Sequence, residues 1–463
     1  MVEFAESILW FLLLIGVMIM IHEFGHFWAA RFFDVKVETF SFGFGPRLFG
    51  FRRGETDYRV SLILFGGYVK MAGELLPETA GKQRDPSALL TGPNDDTSPS
   101  AADDPRSLPN KPRWQRLIIS FAGPFMNLVL AVGVLTGLYM VKYQKVADSD
   151  MEAVIGHVVP GSPAAKAGIQ DGDKIVRLEG KRNPTWEDIG LKEFTSAGQA
   201  MHVTVERNGA EFDTTVTPVL SEKLGVGYAG WDERGQIQLA GVEPGYPAEK
   251  AGLKKGDLIL AVNGQPLHSP TRFSEITKNS GGKPIEIEYE RNGQQHTVTV
   301  QPILSKLDGP AHYMIGVQPQ QKLHLITTKL SFPAALHESL SQNGKGALLM
   351  VDVLKGMVER RLSPKSLSGP IGIAQMSGAA AREGAADYLW LMSTISLQLA
   401  IINLLPIPIL DGGAILMLLI EIVMQRDMSL NVKEAVFKVG FVFIMMLVAF
   451  AIYNDISKIL PAG

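Results

Sequence analysis

Residues 4–33 form an apolar run long enough to cross a bilayer as a helix, and His22-Glu23-Phe24-Gly25-His26 lies inside it. On a helix, positions four apart share a face. His22 and His26 can therefore offer two imidazole nitrogens to one tetrahedral Zn2+, while Glu23 stands beside the water that would complete the site. An ionisable group in a spanning helix costs on the order of 2.5–3.5 kcal/mol on insertion scales, so packing poorly explains two His and a Glu within about a turn. The pattern assigns Zn2+ as cofactor, His22 and His26 as metal ligands and Glu23 as catalytic base, and it puts hydrolytic chemistry within a membrane.

At 463 residues the chain exceeds one compact domain, and 46% hydrophobic residues suit a mixture of membrane and soluble parts. Apolar stretches at 117–141, 388–424 and 435–453 join the first. The expected fold class is an α-helical polytopic membrane protein with four transmembrane helices, over 1–33, 113–141, 388–424 and 435–455. The third is long for one span and contains Pro406 and Pro408, which suits a kinked or partly unwound segment. The N-terminal stretch lacks a basic residue before its apolar core and carries Glu3 and Glu6 instead; cleavage would discard the histidines, so it reads as a retained anchor.

Arg31, Lys36, Arg47, Arg52 and Arg53 follow the first span, and Arg106, Lys111, Arg113 and Arg116 precede the second. The positive-inside bias puts that loop in the cytoplasm, with both termini and the 142–387 segment on the opposite side. A net charge of −3 and the lack of a basic aromatic stripe give no signal for nucleic acid as a partner, whereas membrane lipids are expected around the spans. The absence of cysteine excludes thiolate nucleophiles, thiol redox chemistry and disulfides.

Residues 34–73 are rich in Phe, Val, Tyr and Gly, with Gly43, Gly45, Gly66 and Gly67 punctuating extended runs; this reads as β-hairpin structure, either against the membrane or as an ordinary cytoplasmic sheet. Residues 74–112 are dense in Pro, Asp, Ser and Gly and read as a flexible linker. Further on, the run from Val158 to Gly168 (VVPGSPAAKAG) returns 84 residues later from Val242 to Gly252 (VEPGYPAEKAG). Without a gap, Gly172-Asp173 then matches Gly256-Asp257, and Arg207-Asn208-Gly209 matches Arg291-Asn292-Gly293. The two copies, over 154–219 and 236–304, resemble PDZ domains of the bacterial protease-associated kind, which take a peptide along a sheet edge. A role as a bulky gate is the alternative. Apolar residues at helical spacing over 323–365 suggest amphipathic helices on the membrane surface, and 368–372 looks like a turn before the third span.

A hydrolytic zinc usually has three protein ligands and one open position. The other seven histidines all lie in the 142–387 segment, so the third ligand is expected to be a carboxylate. Asp411 and Glu421 lie in the third stretch; Asp34, Glu38 and Glu55 remain open if the site faces the cytoplasm. Asp411 matches His22 in depth within about two helical turns and is favoured. Pro406 and Pro408 leave backbone groups available near it, and Asn403 adds an amide that can bond substrate backbone or simply join two helices.

Together, His22-Glu23-Phe24-Gly25-His26 and Asn403-x-x-Pro406-x-Pro408-x-Leu410-Asp411-Gly412 resemble the paired signatures of the site-2 protease family of intramembrane metalloproteases. Phe121-Ala122-Gly123-Pro124-Phe125-Met126-Asn127 is similar to that family's small-residue packing motif. The resemblance implies zinc held by His22, His26 and Asp411. It also implies a bacterial inner-membrane location, a β-hairpin (Gly43, Gly45, Gly66, Gly67) that clamps substrate, and single-span substrates such as anti-sigma factors and remnant signal peptides. A membrane adaptor and a metal transporter are the rival classes; neither needs a base beside a two-His site and a break-forming pair of prolines.

Overall fold

The computed structural model describes residues 2–73, 104–147, 152–221, 225–306, 311–322 and 324–459. Its helices in chain order are α1 (Val2–Phe32), α2 (Arg113–Val141), α3 (Pro163–Lys166), α4 (Trp186–Thr195), α5 (Pro247–Lys250), α6 (Pro270–Lys278), α7 (Phe332–Val358), α8 (Pro370–Glu383), α9 (Ala385–Asn403), α10 (Asp411–Met424) and α11 (Leu430–Ile459). The chain divides into two compact units, one of residues 1–142, 329–350 and 368–456 and one of 143–328, 351–367 and 457–463.

In the first unit, four helices among the described residues are long and apolar enough to cross a membrane: α1, α2, α9 and α11. α1 buries Leu14 and Met18 against Tyr388, Leu391, Met392 and Ile395 of α9. Serines in the apolar helices send their hydroxyls to the neighbouring backbone, as lipid leaves them no water to bond. Ser393 donates to the Ala131 carbonyl at 2.9 Å and Ser396 to that of Asn127 at 2.8 Å, which fastens α9 to α2. The α1–α2 crossing is close: a Cβ on Gly25 would stand 2.3 Å from the Ala122 carbonyl oxygen, so only glycine fits.

Outside the repeats, the structure refines the sequence expectation in four regions. The stretch 388–424 is two helices, α9 and α10, because Pro406 and Pro408 lack the N–H groups that continuation requires. Residues 368–372 are more than a turn: they open α8, and buried Asp455 of α11 accepts from the N–H groups of Gly369, Ile371 and Gly372 at 2.8–3.0 Å. Residues 104–112 of the expected flexible linker are fixed, with Arg106 pairing with Glu55 and Asp34 and the Leu108 N–H donating to the Ala72 carbonyl; residues 74–103 lie outside the described residues. Within 323–365, Leu325–Thr328 is a strand paired with Tyr143–Val146, and one long helix, α7, follows; its Ser339 hydroxyl bonds the Val132 carbonyl of α2.

The strands Val37–Arg53 and Thr56–Met71 form one antiparallel ladder with several register shifts. Residues 37–42 pair with 67–71, and residues 47–53 pair with 56–61. Val35, Val37, Val69 and Met71 pack on Ala29 and Ala30 of α1 and Ile119 of α2, so the sheet lies alongside an apolar helix pair.

The second unit holds the two repeats, each with its own apolar core. Their shared motifs form a common clasp. Arg207 binds the Asp173 carboxylate through two 2.7 Å bonds and the Gly168 carbonyl, and Arg291 does the same with Asp257 and Gly252. Both repeats run further than expected. Trp231–Glu233 returns to pair with Ile155–Val158, and Val317–Lys322 with Gln236–Val242, so the copies close near 233 and 322 rather than 219 and 304.

Candidate metal centre

α1 is continuous through its polar residues, and its 3.6-residue period puts His22 and His26 on the face turned to α2 and α10. After α9 ends at Asn403, residues 404–410 fold back through turns in which the Ile407 N–H reaches Leu405 and the Leu410 N–H reaches Ile407. α10 restarts with Asp411 as its first residue, where unpaired N–H groups favour a negative side chain. The glycines that follow are sterically required. A Cβ on Gly412 would lie 2.2 Å from the Leu405 carbonyl oxygen, and one on Gly413 2.4 Å from that of Ile407. Ile409 holds a φ of +82°, an outlier for a β-branched residue, and it lines the same cavity as Asp411.

These elements bring three donors together. His22 Nε2 is 3.2 Å from His26 Nε2; Asp411 Oδ2 is 3.1 Å from His22 Nε2, and its Oδ1 is 3.4 Å from His26 Nε2. Among the described residues they form the one group of three or more His, Cys, Asp or Glu whose ligand atoms all lie within 4.8 Å of one another. Donors at about 2.0–2.1 Å from a tetrahedral zinc stand about 3.3–3.4 Å from each other, so the spacing fits the ion.

The outer nitrogens supply an independent test. His26 Nδ1–H donates to the Ile119 carbonyl at 2.8 Å, which turns the Nε2 lone pair inward. The Asn127 amide lies 3.1 Å from His22 Nδ1, and its Oδ1 is buried with no partner. Rotating the amide by half a turn about its last side-chain bond lets that oxygen accept from His22 Nδ1–H, leaving Nε2 free to ligate and no polar atom orphaned. Gly123, one turn before Asn127, leaves the space in which both imidazoles sit: a Cβ there would be 2.3 Å from His26 Nε2.

Glu23 shares a cavity of about 290 Å³ with the three donors, Tyr68, Val69 and Met71 of the sheet, and Asn403, Ile409 and Leu410. Gly67 abuts Glu23, whose Cγ would be 3.1 Å from a Cβ at that position. The remaining sequence candidates stand apart from the cavity lining. Gly43, Gly45 and Gly66 take positive φ within the sheet, Pro406 is exposed, and Pro408 packs on Gly440 of α11. Glu421 is committed elsewhere: it is buried, accepts from the Met428 N–H, and pairs with Lys433 at 2.7 Å and Arg116 at 3.5 Å. Asp34 and Glu55 bind Arg106, and Glu38 binds Lys70. Asn127 and Gly123 were not legible as site residues; the available signal was a polar residue amid an apolar span beside Gly and Pro.

Residues 10–447 match the model of peptidase family M50. The chain is 33% identical to the regulator of sigma E protease of Salmonella typhi, over 98% of this chain and 100% of that protein. It is 30% identical to the regulator of sigma-E protease RseP of Escherichia coli, over 99% and 100%. A Vibrio cholerae protein whose name assigns it provisionally to the zinc metalloproteases is 31% identical over 98% and 100%. Among solved structures, the PDZ domain of the SdrC-like protein of Listeria monocytogenes aligns at 21% identity over 19% of this chain and 90% of that one, with a TM-score of 0.17, too low to argue from.

Proposed function

We propose that this chain, which belongs to peptidase family M50, the site-2 proteases, is a zinc metalloprotease that cuts single-span transmembrane proteins within the bilayer after another protease has trimmed them. The convergence of His22, His26 and Asp411 beside Glu23, in a cavity lined by apolar helices and the sheet, carries this reading. His22, His26 and Asp411 are the residues that would hold the ion, and a bound zinc supplies Lewis acidity to a water and to the scissile carbonyl. Glu23 takes the proton from the attacking water and passes it to the leaving amine, a role worth about 10²–10⁴-fold in rate. Ile119 and Asn127 keep the imidazoles in the ligating tautomer.

A substrate helix pairs its own carbonyls and must unwind before attack. The sheet residues 67–71 and the irregular backbone of 404–410 flank the cavity and offer groups with which an extended segment can pair, and Asn403 adds a side-chain amide. Substrates rich in helix-breaking residues near the cut are therefore preferred. Anti-sigma factors and remnant signal peptides are the expected classes, in a bacterial inner membrane with the repeats on the periplasmic side and the site toward the cytoplasm. The repeats, read as tandem PDZ domains, exclude substrates with bulky periplasmic parts. Purified protein in detergent should cleave a trimmed single-span substrate and lose that activity in Glu23→Gln with its zinc retained. A Glu23→Gln variant that cleaves at the wild-type rate would refute the assignment.

A further inference from the structure

The second repeat has a groove between α6 and the strands His312–Met314 and Val317–Lys322, lined by Phe273, Thr277, Lys278, Tyr313, Ile315 and Val317. Grooves of this form take an extended peptide, and backbone N–H groups at one end receive its terminal carboxylate. The first repeat has the same parts. Ala164 N–H donates to the Ala229 carbonyl at 2.9 Å as Ala248 N–H does to that of Ile315, and Val159 N–H donates to Gly230 as Glu243 N–H does to Gly316. Ala229 is thus the counterpart of Ile315, and the 84-residue spacing makes Glu193 of α4 the counterpart of Thr277.

At this position the copies diverge. Thr277 keeps its hydroxyl within its own helix, on the Phe273 carbonyl at 3.0 Å. Glu193 instead reaches across the groove, where Oε1 accepts from the Ala229 N–H at 2.6 Å and Oε2 from the Trp231 indole N–H at 2.8 Å. The neighbouring strand lies directly on α4, since a Cβ on Gly227 would be 2.0 Å from the Glu193 carbonyl oxygen. The same end is also covered: Arg361 donates to the Thr195 carbonyl at 2.5 Å, and the Ser363 N–H donates to that of Gly225 at 2.9 Å.

We propose that Glu193 is a built-in carboxylate ligand of the first repeat, bound where a peptide terminus would dock, so that this repeat is closed to peptides and holds the chain's own 361–363 segment instead. The inference rests on reading the repeats as PDZ-type modules. The carboxylate supplies the acceptor geometry a terminus would bring, and it is tethered, so a free peptide must displace a ligand at far higher effective concentration.

The test uses full-length protein in detergent and a ten-residue photo-crosslinking peptide that ends in an apolar residue with a free carboxylate, beside the same peptide amidated. Cross-links should fall in the second repeat of wild type and not at 227–231. Glu193→Thr, which gives the first repeat its counterpart's residue, should add cross-links at 227–231 with the free-carboxylate probe alone, and deuterium exchange there should rise at least tenfold. Thr277→Glu should remove capture by the second repeat. If Glu193→Thr does not fold, Glu193→Gln keeps the shape and should still raise exchange at 227–231 several-fold; unchanged exchange overturns the proposal. Equal cross-linking of 227–231 in wild type and Glu193→Thr would overturn the built-in ligand alone. Failure of both repeats to capture the probe, in wild type and in every variant, would overturn the PDZ-type reading with it.

Discussion

His26 and His22 differ in what holds their outer nitrogens: one bonds a backbone carbonyl, the other a side chain that mutation can remove. Asn127→Leu should therefore weaken zinc binding about 10–100-fold, read by competition with a chelator, while the helices stay folded. Gly123→Ala acts more severely. Its methyl would stand 2.3 Å from His26 Nε2, so zinc content should fall to near zero with unchanged far-ultraviolet circular dichroism. In the first repeat, burial pushes the Glu193 carboxyl up, and Asp232 adds in the same direction. Because the folded value lies above the unfolded one, the stability this group contributes is full below the ordinary Glu range and is lost as pH rises through the raised value. Thermal melts should show the first repeat losing stability over that window, with the loss absent in Glu193→Gln. His22, Glu23 and His26 were readable because helical period alone fixes their common face. Gly123 and Asn127 were legible only as part of a packing motif, because their contact with the two imidazoles exists only once α2 crosses α1.

The loop between α9 and α10 is what turns an apolar stretch into a site. Pro406 and Pro408 end α9, and the returning backbone crosses the first turn of α10 so closely that Gly412 and Gly413 have no room for a side chain. Gly412→Ala should displace Asp411 and cost at least a factor of ten in both zinc affinity and proteolysis, measured on protein that still elutes as a folded species. The prolines made the break readable in the sequence. The restart of α10 at Asp411 was less so, because it depends on turn bonds such as that from the Leu410 N–H to Ile407. Elements set by pairing across long sequence distances were equally hidden: Leu325–Thr328 is only four residues long, and its distant partner Tyr143–Val146 is what makes it a strand. The closing strands of the repeats escaped for the same reason, since the counterparts Ala229 and Ile315 lie 86 residues apart and so fall outside the ungapped 84-residue match.

Across the whole molecule, the strand pair of Tyr143–Val146 with Leu325–Thr328, together with the bond from Ala147 N–H to the His324 carbonyl, brings the ends of the repeat-bearing segment together. Joining 147 to 324 should thus remove both repeats while leaving that pair to close the chain. If the repeats act as a gate, the shortened protein should cleave substrates that keep a large domain on the repeats' side of the membrane at rates near those for trimmed ones; unchanged selectivity would rule the gate out. Architecture at this scale was legible from the apolar stretches and the internal repeat, because hydrophobic length and self-similarity survive without knowledge of packing. The division of residues between the two compact units within α7 was not.

The most direct measurement is cleavage of a trimmed single-span substrate by purified full-length protein, wild type against Glu23→Gln, with zinc quantified in both. Cleavage by wild type alone, at equal zinc content and suppressed by chelator, is the predicted result. Equal cleavage by both forms, or wild-type cleavage that persists after zinc is stripped, would contradict a zinc centre at His22, His26 and Asp411 worked by Glu23.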